Sequence, residues 1–424
     1  MSPKHVRSRL SRRSTTIATA TVAALSATAL GLTGAITSAN ADEPPATTLA
    51  KDVVTEVVIK GANSPDAIAG SYLVVLKEQP ATRAATALVA KTLASTYDAK
   101  VRRTFSSALN GFSASLTEEQ ARKLAGDERV AYVQQNQRFR MSQDNPAWGL
   151  DRSDQRDLPL DKLYEAPNAA DNVNVYVIDT GIFAGHEDFG GRASVGTDTI
   201  SDGQNGKDCQ GHGSHVAGTI AGKTYGLAKG AKVFGVRVLD CQGSGTTESV
   251  VAGIEWVTAN AKKPAVANMS LGGPADQALD DAVKKSVAAG ITYAVAAGNE
   301  SADACKVSPA KEPTAITTGA TDDTDTRANF SNFGKCVDIF APGVDVESVG
   351  ISGPTATATH SGTSMASPHV AGAAALYLSA KPDATPADVA AALIGAATPD
   401  KVKNPGTGSP NKLMFTGALT SPLS

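Results

Sequence analysis

Val173-Asn174-Val175-Tyr176-Val177-Ile178-Asp179-Thr180-Gly181 is an apolar run closed by an acid and a turn. From Val175 to Ile178 no residue is polar except the Tyr hydroxyl, so the strand it predicts is buried on both faces. Working outward, residues 232–238, 265–269 and 291–297 have the same mostly apolar character. Helix-like stretches at 212–222, 247–260, 276–289 and 364–380 separate or follow them. Strands alternating with helices predict an α/β fold in which a parallel sheet carries helices on both faces. Functional side chains in such sheets gather at the carboxyl ends of strands and at the helix N-termini beyond them.

The chain in front of this pattern is different. Residues 1–141 carry 18 Lys+Arg and 11 Asp+Glu, whereas residues 142–424 carry 21 and 31. Lys4, Arg7, Arg9, Arg12 and Arg13 account for most of the early excess. With an apolar stretch from Ile17 to Ile36 and Ala39-Asn40-Ala41 as a cleavage motif, residues 1–41 read as a secretory signal. An uncleaved anchor is the competing reading, disfavoured by the Thr- and Ala-rich run and the cleavage motif. Arg12-Arg13 raises twin-arginine export, but Thr15 and Thr16 follow where bulky apolar residues belong. A polar linker is expected over 42–67, then a small β-α-β-β-α-β unit over 68–140. Strand-like 71–76 and 111–116, a helix over 81–99, Thr117 capping a second helix, and Val130-Ala131-Tyr132-Val133 mark it.

Over 424 residues, 42% hydrophobic and 19% charged is an ordinary globular balance. It excludes a mainly disordered chain, and a net charge of −3 gives no reason to expect nucleic-acid binding. No later segment has 18 uninterrupted apolar residues, so no membrane association is expected after signal cleavage.

Three polar residues stand where the sheet rule points. Asp179 ends a strand, His212 lies in Gly211-His212-Gly213-Ser214-His215, and Ser364 lies in Ser361-Gly362-Thr363-Ser364-Met365-Ala366-Ser367-Pro368. Pro368 is expected in the first turn of the helix that begins there. Singly, such an Asp is ordinarily a turn former, such a Ser a cap, and such a His a turn residue. Together, in the order Asp, His, Ser, they resemble the three signatures of subtilisin-like serine proteases. The similarity runs through nearly all of 145–418. Trp148-Gly149-Leu150-Asp151-Arg152, Ala267-Asn268-Met269-Ser270-Leu271-Gly272-Gly273 and Ala296-Ala297-Gly298-Asn299 resemble the proteinase K and aqualysin branch. The module at 68–138 is similar to the inhibitory propeptide those enzymes carry. A lipase-type G-x-S-x-G elbow is absent, since Ala366 stands at its last glycine. A Ser…acid…His order fails too, because His369 alone follows Ser364. A non-catalytic binding protein on the same fold would not need the expected types at all four catalytic positions.

The resemblance implies a subtilisin-like three-layer α/β fold over 141–424, preceded by a small α+β ferredoxin-like propeptide. It implies a secreted, extracellular, monomeric serine endopeptidase acting on protein and peptide substrates and inhibited by its own propeptide. The last propeptide strand would lead into the active site, and cleavage near 138–143 would release the enzyme. Ser364 would be the nucleophile, His212 the general base, Asp179 its orienter and Asn299 an oxyanion donor. Gly243, Ser244 and Gly245 would form one side of a substrate channel, and Ser270, Leu271 and Gly272 the other. Ala297 and Gly298 would border the pocket for the residue before the cut, wide and uncharged, with an apolar or aromatic preference. His215 and His369 are read as structural, and His186 and His360 as surface or loop residues.

Four cysteines in an exported chain point to disulfides, with three pairings open. The resemblance implies Cys209–Cys241 and Cys305–Cys336; a zinc site lacks its CxxC pairs. It also implies structural Ca2+, at the Pro313 and Ala315 carbonyls with Asp338, and at Asp151, Asp154, Gln155 and Asp161. Leu163 stands where close relatives offer Asn at the second site. Asp322, Asp323 and Asp325 offer a third candidate site, with a solvated turn as the favoured reading.

Overall fold

The computed structural model describes residues 58–62, 67–77, 83–106, 110–137 and 141–419. The expected signal and most of the expected linker lie outside them.

The small unit consists of β1 (Ala67–Leu76), α1 (Arg83–Thr96), β2 (Lys100–Phe105), β3 (Gly111–Ser115), α2 (Glu118–Ala125) and β4 (Val130–Gln137). Its four strands are antiparallel in the order β2-β3-β1-β4, the ferredoxin-like arrangement expected. Alternate residues Tyr72, Val74 and Leu76 of β1 face a core with Leu93, Phe112 and Leu124. Thr117 caps α2 reciprocally: its hydroxyl takes Gln120 N–H at 3.2 Å, and Gln120 Oε1 takes Thr117 N–H at 2.7 Å. Ile59 is buried in the same core, and Lys60 exchanges backbone hydrogen bonds with Val133 and Gln135. The core of the small unit thus draws in Ile59, ahead of the boundary expected at residue 68.

Beyond it the chain forms β5 (Met141–Asp144), α3 (Trp148–Ser153), β6 (Leu163–Ala166), β7 (Asn174–Asp179), β8 (Ala193–Asp198), α4 (His212–Ala221) and β9 (Lys232–Arg237). Next come α5 (Thr247–Asn260), β10 (Ala265–Met269), β11 (Gly273–Pro274), α6 (Gln277–Ala288), β12 (Thr292–Ala296), β13 (Val307–Ser308) and β14 (Ile316–Thr321). The remainder is β15 (Ile339–Pro342), β16 (Val346–Val349), β17 (Thr357–His360), α7 (Thr363–Ala380), α8 (Pro386–Ala396), β18 (Thr398–Pro399) and β19 (Lys412–Leu413). Nine strands make the main sheet, ordered β18-β19-β15-β14-β12-β10-β7-β9-β8. All pairs are parallel except the edge pair β18–β19.

The opening stretch explains the layering. Val175 and Val177 point to one face, into a core with Val216, Ile220 and Val370 of α4 and α7. Tyr176 and Ile178 point to the other, against Ile254, Val257 and Val283 of α5 and α6. Each fully buried side chain of this size contributes roughly 1.5–3 kcal/mol. Helix α7 is apolar nearly all round because it runs through the interior. The carboxyl ends of β7, β10 and β12 and the N-termini of α4 and α7 consequently share one edge of the sheet.

The chain leaves β4 and enters β5, which pairs antiparallel with β6, Met141 opposite Ala166. Lys229 Nζ donates to Gln143 Oε1 at 2.7 Å there. Residues 138–140, over which the last propeptide strand is expected to lead into the active site, lie outside the described residues.

Candidate active site

Asp179 is fully buried at the end of β7. Its Oδ1 accepts the Thr180 N–H at 2.8 Å and lies 2.7 Å from His212 Nδ1. A carboxylate only accepts, so Nδ1 carries the proton and the Nε2 lone pair faces the cleft. Burial alone would lower the His212 pKa. The Asp179 charge and hydrogen bond, with the Asp208 charge behind them, outweigh it and hold His212 above its ordinary value.

The His212 turn depends on glycine twice. Gly211 caps α4 at φ 108°, a left-handed conformation, and a Cβ on Gly213 would stand 2.4 Å from Gly181 O. Asp208 then fastens the turn. Its Oδ1 accepts from Thr180 Oγ1 (2.9 Å), Gln210 N (3.0 Å) and Gly211 N (2.7 Å), and its Oδ2 from Ser214 N and Oγ at 2.8 and 2.7 Å. Thr180 Oγ1 in turn accepts the Gly213 N–H.

Ser364 sits in the first turn of α7. Its hydroxyl donates to Ser270 O at 3.1 Å, and among the described residues no hydrogen bond joins it to His212. Pro368 lies deeper in α7 than expected. Lacking an N–H, it leaves the Ser364 carbonyl without its helical partner, and Ser270 Oγ supplies that bond at 2.7 Å. Asn268 Nδ2 donates to Ser270 Oγ and Asn268 Oδ1 accepts from Ser367 Oγ, so β10 and α7 are stitched directly together.

Asn299 follows β12. Its Oδ1 accepts Thr363 N–H at 2.8 Å and Thr363 Oγ1 at 3.0 Å, while Thr363 Oγ1 accepts Gly298 N–H. The carbonyl end is thus fixed, which turns Nδ2 outward as a donor.

Two adjoining cavities share Leu271, Gly272, Gly273 and Pro274. The larger, about 570 Å³, has His212, Gly243, Ser244, Gly245 and Ser270 in its walls. The smaller, about 350 Å³, has Ala296, Gly298, Asn299, Glu300, Val307 and Ser364. No residue of 67–144 lines either among the described residues. Two expectations are corrected here. Ala297 is turned away into a buried cluster with Val337 and Phe340, and Ala296 lines the cavity instead, because neighbours along an extended chain face opposite sides. The pocket beside Ser364 is not free of charge, since Glu300 stands in its wall.

The other histidines divide clearly. His215 is buried and bonds Val346 O and Ala358 O through Nε2; burial drives its pKa down to about 3. His369 is buried on Met365 O, and burial brings it to about 4. His186 is buried as well rather than at the surface, bonded to Ala356 O through Nε2 and to Asp188 N through Nδ1. His360 is exposed.

Both disulfides form, Cys209–Cys241 and Cys305–Cys336, with Cα–Cα distances of 5.1 and 5.3 Å. The first ties the His212 turn to the Gly243–Gly245 rim. Each closes a loop of about 30 residues, worth roughly 3–4 kcal/mol on loop-entropy grounds.

The acids expected to hold calcium lie in two places. Asp151 Oδ2 accepts Lys162 N, Asp154 Oδ2 accepts Glu165 N, and Gln155 Oε1 accepts Asp161 N. Asp151 Oδ1 and Asp154 Oδ1 are buried without a partner. Burial, with the nearby Asp161 charge, pushes Asp151 up to about 6; burial pushes Asp154 up to about 7. Asp338 takes Thr317 N–H, and burial raises it to about 6. Among the described residues no three His, Cys, Asp or Glu side chains converge as a ready-made cage. Two orphaned carboxylate oxygens nonetheless fit a hard cation that takes oxygen ligands. Asp322 and Asp325 are otherwise engaged. Asp322 Oδ1 takes Thr324 N and Thr326 N, and Asp325 forms a buried pair with Arg152 at 2.6 Å.

Comparison with known proteins agrees with this geometry. A model described as the subtilase family matches residues 170–413. The chain belongs to the subtilase family. A second model, peptidase inhibitor I9, matches residues 71–142 of this subtilase. It is 48% identical over 400 residues to an extracellular serine proteinase of Thermus sp. (strain Rt41A), covering 90% of this chain and 96% of that one. It is 44% identical over 369 residues to alkaline serine exoprotease A of Vibrio alginolyticus, covering 83% and 68%. A crystal structure of a cold adapted subtilisin-like serine proteinase superimposes with a TM-score of 0.63 at 49% identity, over 64% of this chain and 99% of that one. The protein is thus a subtilisin-like serine proteinase with an I9 propeptide.

Asp208, Thr363, Asn332 and Glu300 were not singled out from sequence. Asp208, four residues before His212 and just ahead of a glycine-led helix, offered the only local signal.

Proposed function

We propose that this subtilase is a secreted endopeptidase that frees itself from its precursor and cuts peptide bonds through Ser364. The contact that carries the reading is His212 Nδ1 on buried Asp179 Oδ1, 2.7 Å apart beside the cleft that also holds Ser364 and Asn299. Ser364 Oγ turns from Ser270 O toward His212 Nε2, gives up its proton and attacks the peptide carbonyl carbon. Asp179 stabilises the imidazolium that results. The oxyanion takes hydrogen bonds from Asn299 Nδ2 and the Ser364 backbone N–H. His212 then protonates the leaving amine, and a water activated by the same imidazole hydrolyses the acyl-enzyme.

The substrate lies extended between Gly243-Ser244-Gly245 and Ser270-Leu271-Gly272, pairing through main chain. Leu271, Pro274, Ala296 and Val307 give the pocket before the cut an apolar or aromatic preference, and Glu300 extends its tolerance to long basic side chains. Residues 1–41 act as export signal, the stretch from 42 up to Ile59 as linker, the small unit with Ile59 in its core as the intramolecular inhibitor, and 141–424 as the monomeric peptidase. The relative named extracellular supports the secreted reading. Ca2+ would be held by Asp151, Asp154, Gln155 and Asp161, and by Asp338 with the Pro313 and Ala315 carbonyls. Its contribution is to neutralise buried acids and fasten their loops.

Intact mass of the secreted wild type beside Ser364→Ala tests this. The wild type should start near residue 141 and the variant should keep its propeptide. Identical trimming of both would refute self-processing by Ser364.

A further inference from the structure

The loop that presents Asn299 is held from behind by a single side chain. Asn332 is fully buried, and both ends of its carboxamide are spent on residues 297–302. Its Nδ2 donates to Ala297 O at 2.9 Å and to Glu300 Oε2 at 2.7 Å. Its Oδ1 accepts from Glu300 N at 3.1 Å and from Ala302 N at 2.8 Å. Its own backbone N–H donates to Gly298 O at 3.0 Å. Both donors and both acceptor positions of the amide are therefore used. Gly298, at φ 100°, rests so closely on the carboxamide that a Cβ there would stand 2.3 Å from Asn332 Nδ2.

Asn299 is caught between two anchors. Thr363 fixes its side-chain oxygen from the α7 side, and Asn332 fixes the backbone on either side of it. We propose that Asn332 is a positioning residue for the Asn299 oxyanion donor, acting as a template that sets where Nδ2 stands before substrate arrives. The inference rests on the reading of Asn299 given above. An oxyanion donor earns its effect only within a narrow distance of the developing charge, and misplacement by about 1 Å costs up to roughly a hundredfold in rate. Nothing in 297–302 replaces the Asn332 contacts, because Glu300 N and Ala302 N have no other acceptor among the described residues.

A double-mutant cycle on peptide hydrolysis decides it, with each enzyme expressed as the full chain, freed of its propeptide and normalised by active-site titration. Asn332→Ala should lower kcat roughly ten- to a hundredfold with KM little changed. In an Asn299→Ala background the same substitution should cost less than about twofold, since the donor it positions has gone. Equal losses in both backgrounds would mean that Asn332 serves general stability, and would overturn the inference while leaving Asn299 as donor. If Asn299→Ala alone cost less than about tenfold, the oxyanion reading itself would fall, and the inference with it. Asn332→Ser enters the same cycle should the alanine variant not be recovered folded; it retains a hydroxyl too short to span both ends of the loop.

Discussion

Asp208 and Asp154 are both acids withdrawn from solvent, and they live in opposite circumstances. Asp208 has five donors on its two oxygens and, among the described residues, no salt bridge. Asp154 has one backbone donor on Oδ2, a buried Oδ1 with nothing on it, and a pKa raised to about 7 by burial. The first is a finished construction whose fixed dipoles hold the His212 turn against Asp179. The second is unfinished, and a carboxylate left so favours either a proton or a metal ion. Saturation marks the end of the sheet where geometry must be rigid before substrate binds. Deficiency marks the place where the proposed Ca2+ would supply stability.

The largest effect tests the rigid side. His212→Ala should lower kcat roughly a millionfold, the scale on which subtilisin itself suffers when its serine or histidine is removed. Asp179→Asn should cost roughly ten-thousandfold by leaving the wrong tautomer. Steady-state peptide hydrolysis reads both, and a loss below a hundredfold in either would break the assignment. The deficient side comes next. Chelation of divalent cations should lower the melting temperature by roughly 5–10 °C, as expected for a site filled to about 100 times its Kd. Asp154→Asn should shrink that shift, whereas Asp208→Asn should leave it intact. A chelator-insensitive wild type would remove calcium from the account.

Smaller effects sharpen the contrast. Asp208→Asn should reduce kcat/KM roughly tenfold through a loosened turn. It should also move the acid limb of the pH profile. His212 must be neutral to act as base, so kcat/KM rises as pH passes upward through its pKa. Asp208 helps to raise that pKa, so its removal should shift the limb to lower pH. A limb that stayed put would leave Asp208 with a purely steric role. Smallest is Glu300→Gln, which should cut kcat/KM by roughly two- to fivefold for a substrate with Lys before the cut and change little for Phe. Equal effects on both would show that the Glu300 charge does not reach the bound side chain.

Sequence carried the main lines of this molecule because its signals are local. Residues 175–178 alternate between two buried faces and so read as apolar throughout, and Thr117 caps the helix that follows it. Strand β14 was missed because Thr317, Thr318 and Thr321 are polar yet buried, and the one hydroxyl among them with a partner, that of Thr317, donates to Ala310 O, which no local pattern reveals. Strand β8 was missed because it is an edge with half-exposed residues. The triad motifs were legible, each being a short turn with a fixed composition. The supporting residues were not. Thr363 acts on Asn299, and Asn332 on 297–302, across long separations in the chain. The exchange of Ala297 for Ala296 shows how fine the limit is, since a shift of one residue along an extended segment swaps pocket for core.

The most direct test of the account labels the nucleophile itself. The mature enzyme would be titrated with a sulfonyl fluoride, digested and mapped by mass, alongside loss of peptide hydrolysis. One adduct per active molecule, located on Ser364 and tracking the lost activity, is the predicted result. Activity that survives full labelling of Ser364, or an inactivating adduct on another residue, would contradict the mechanism.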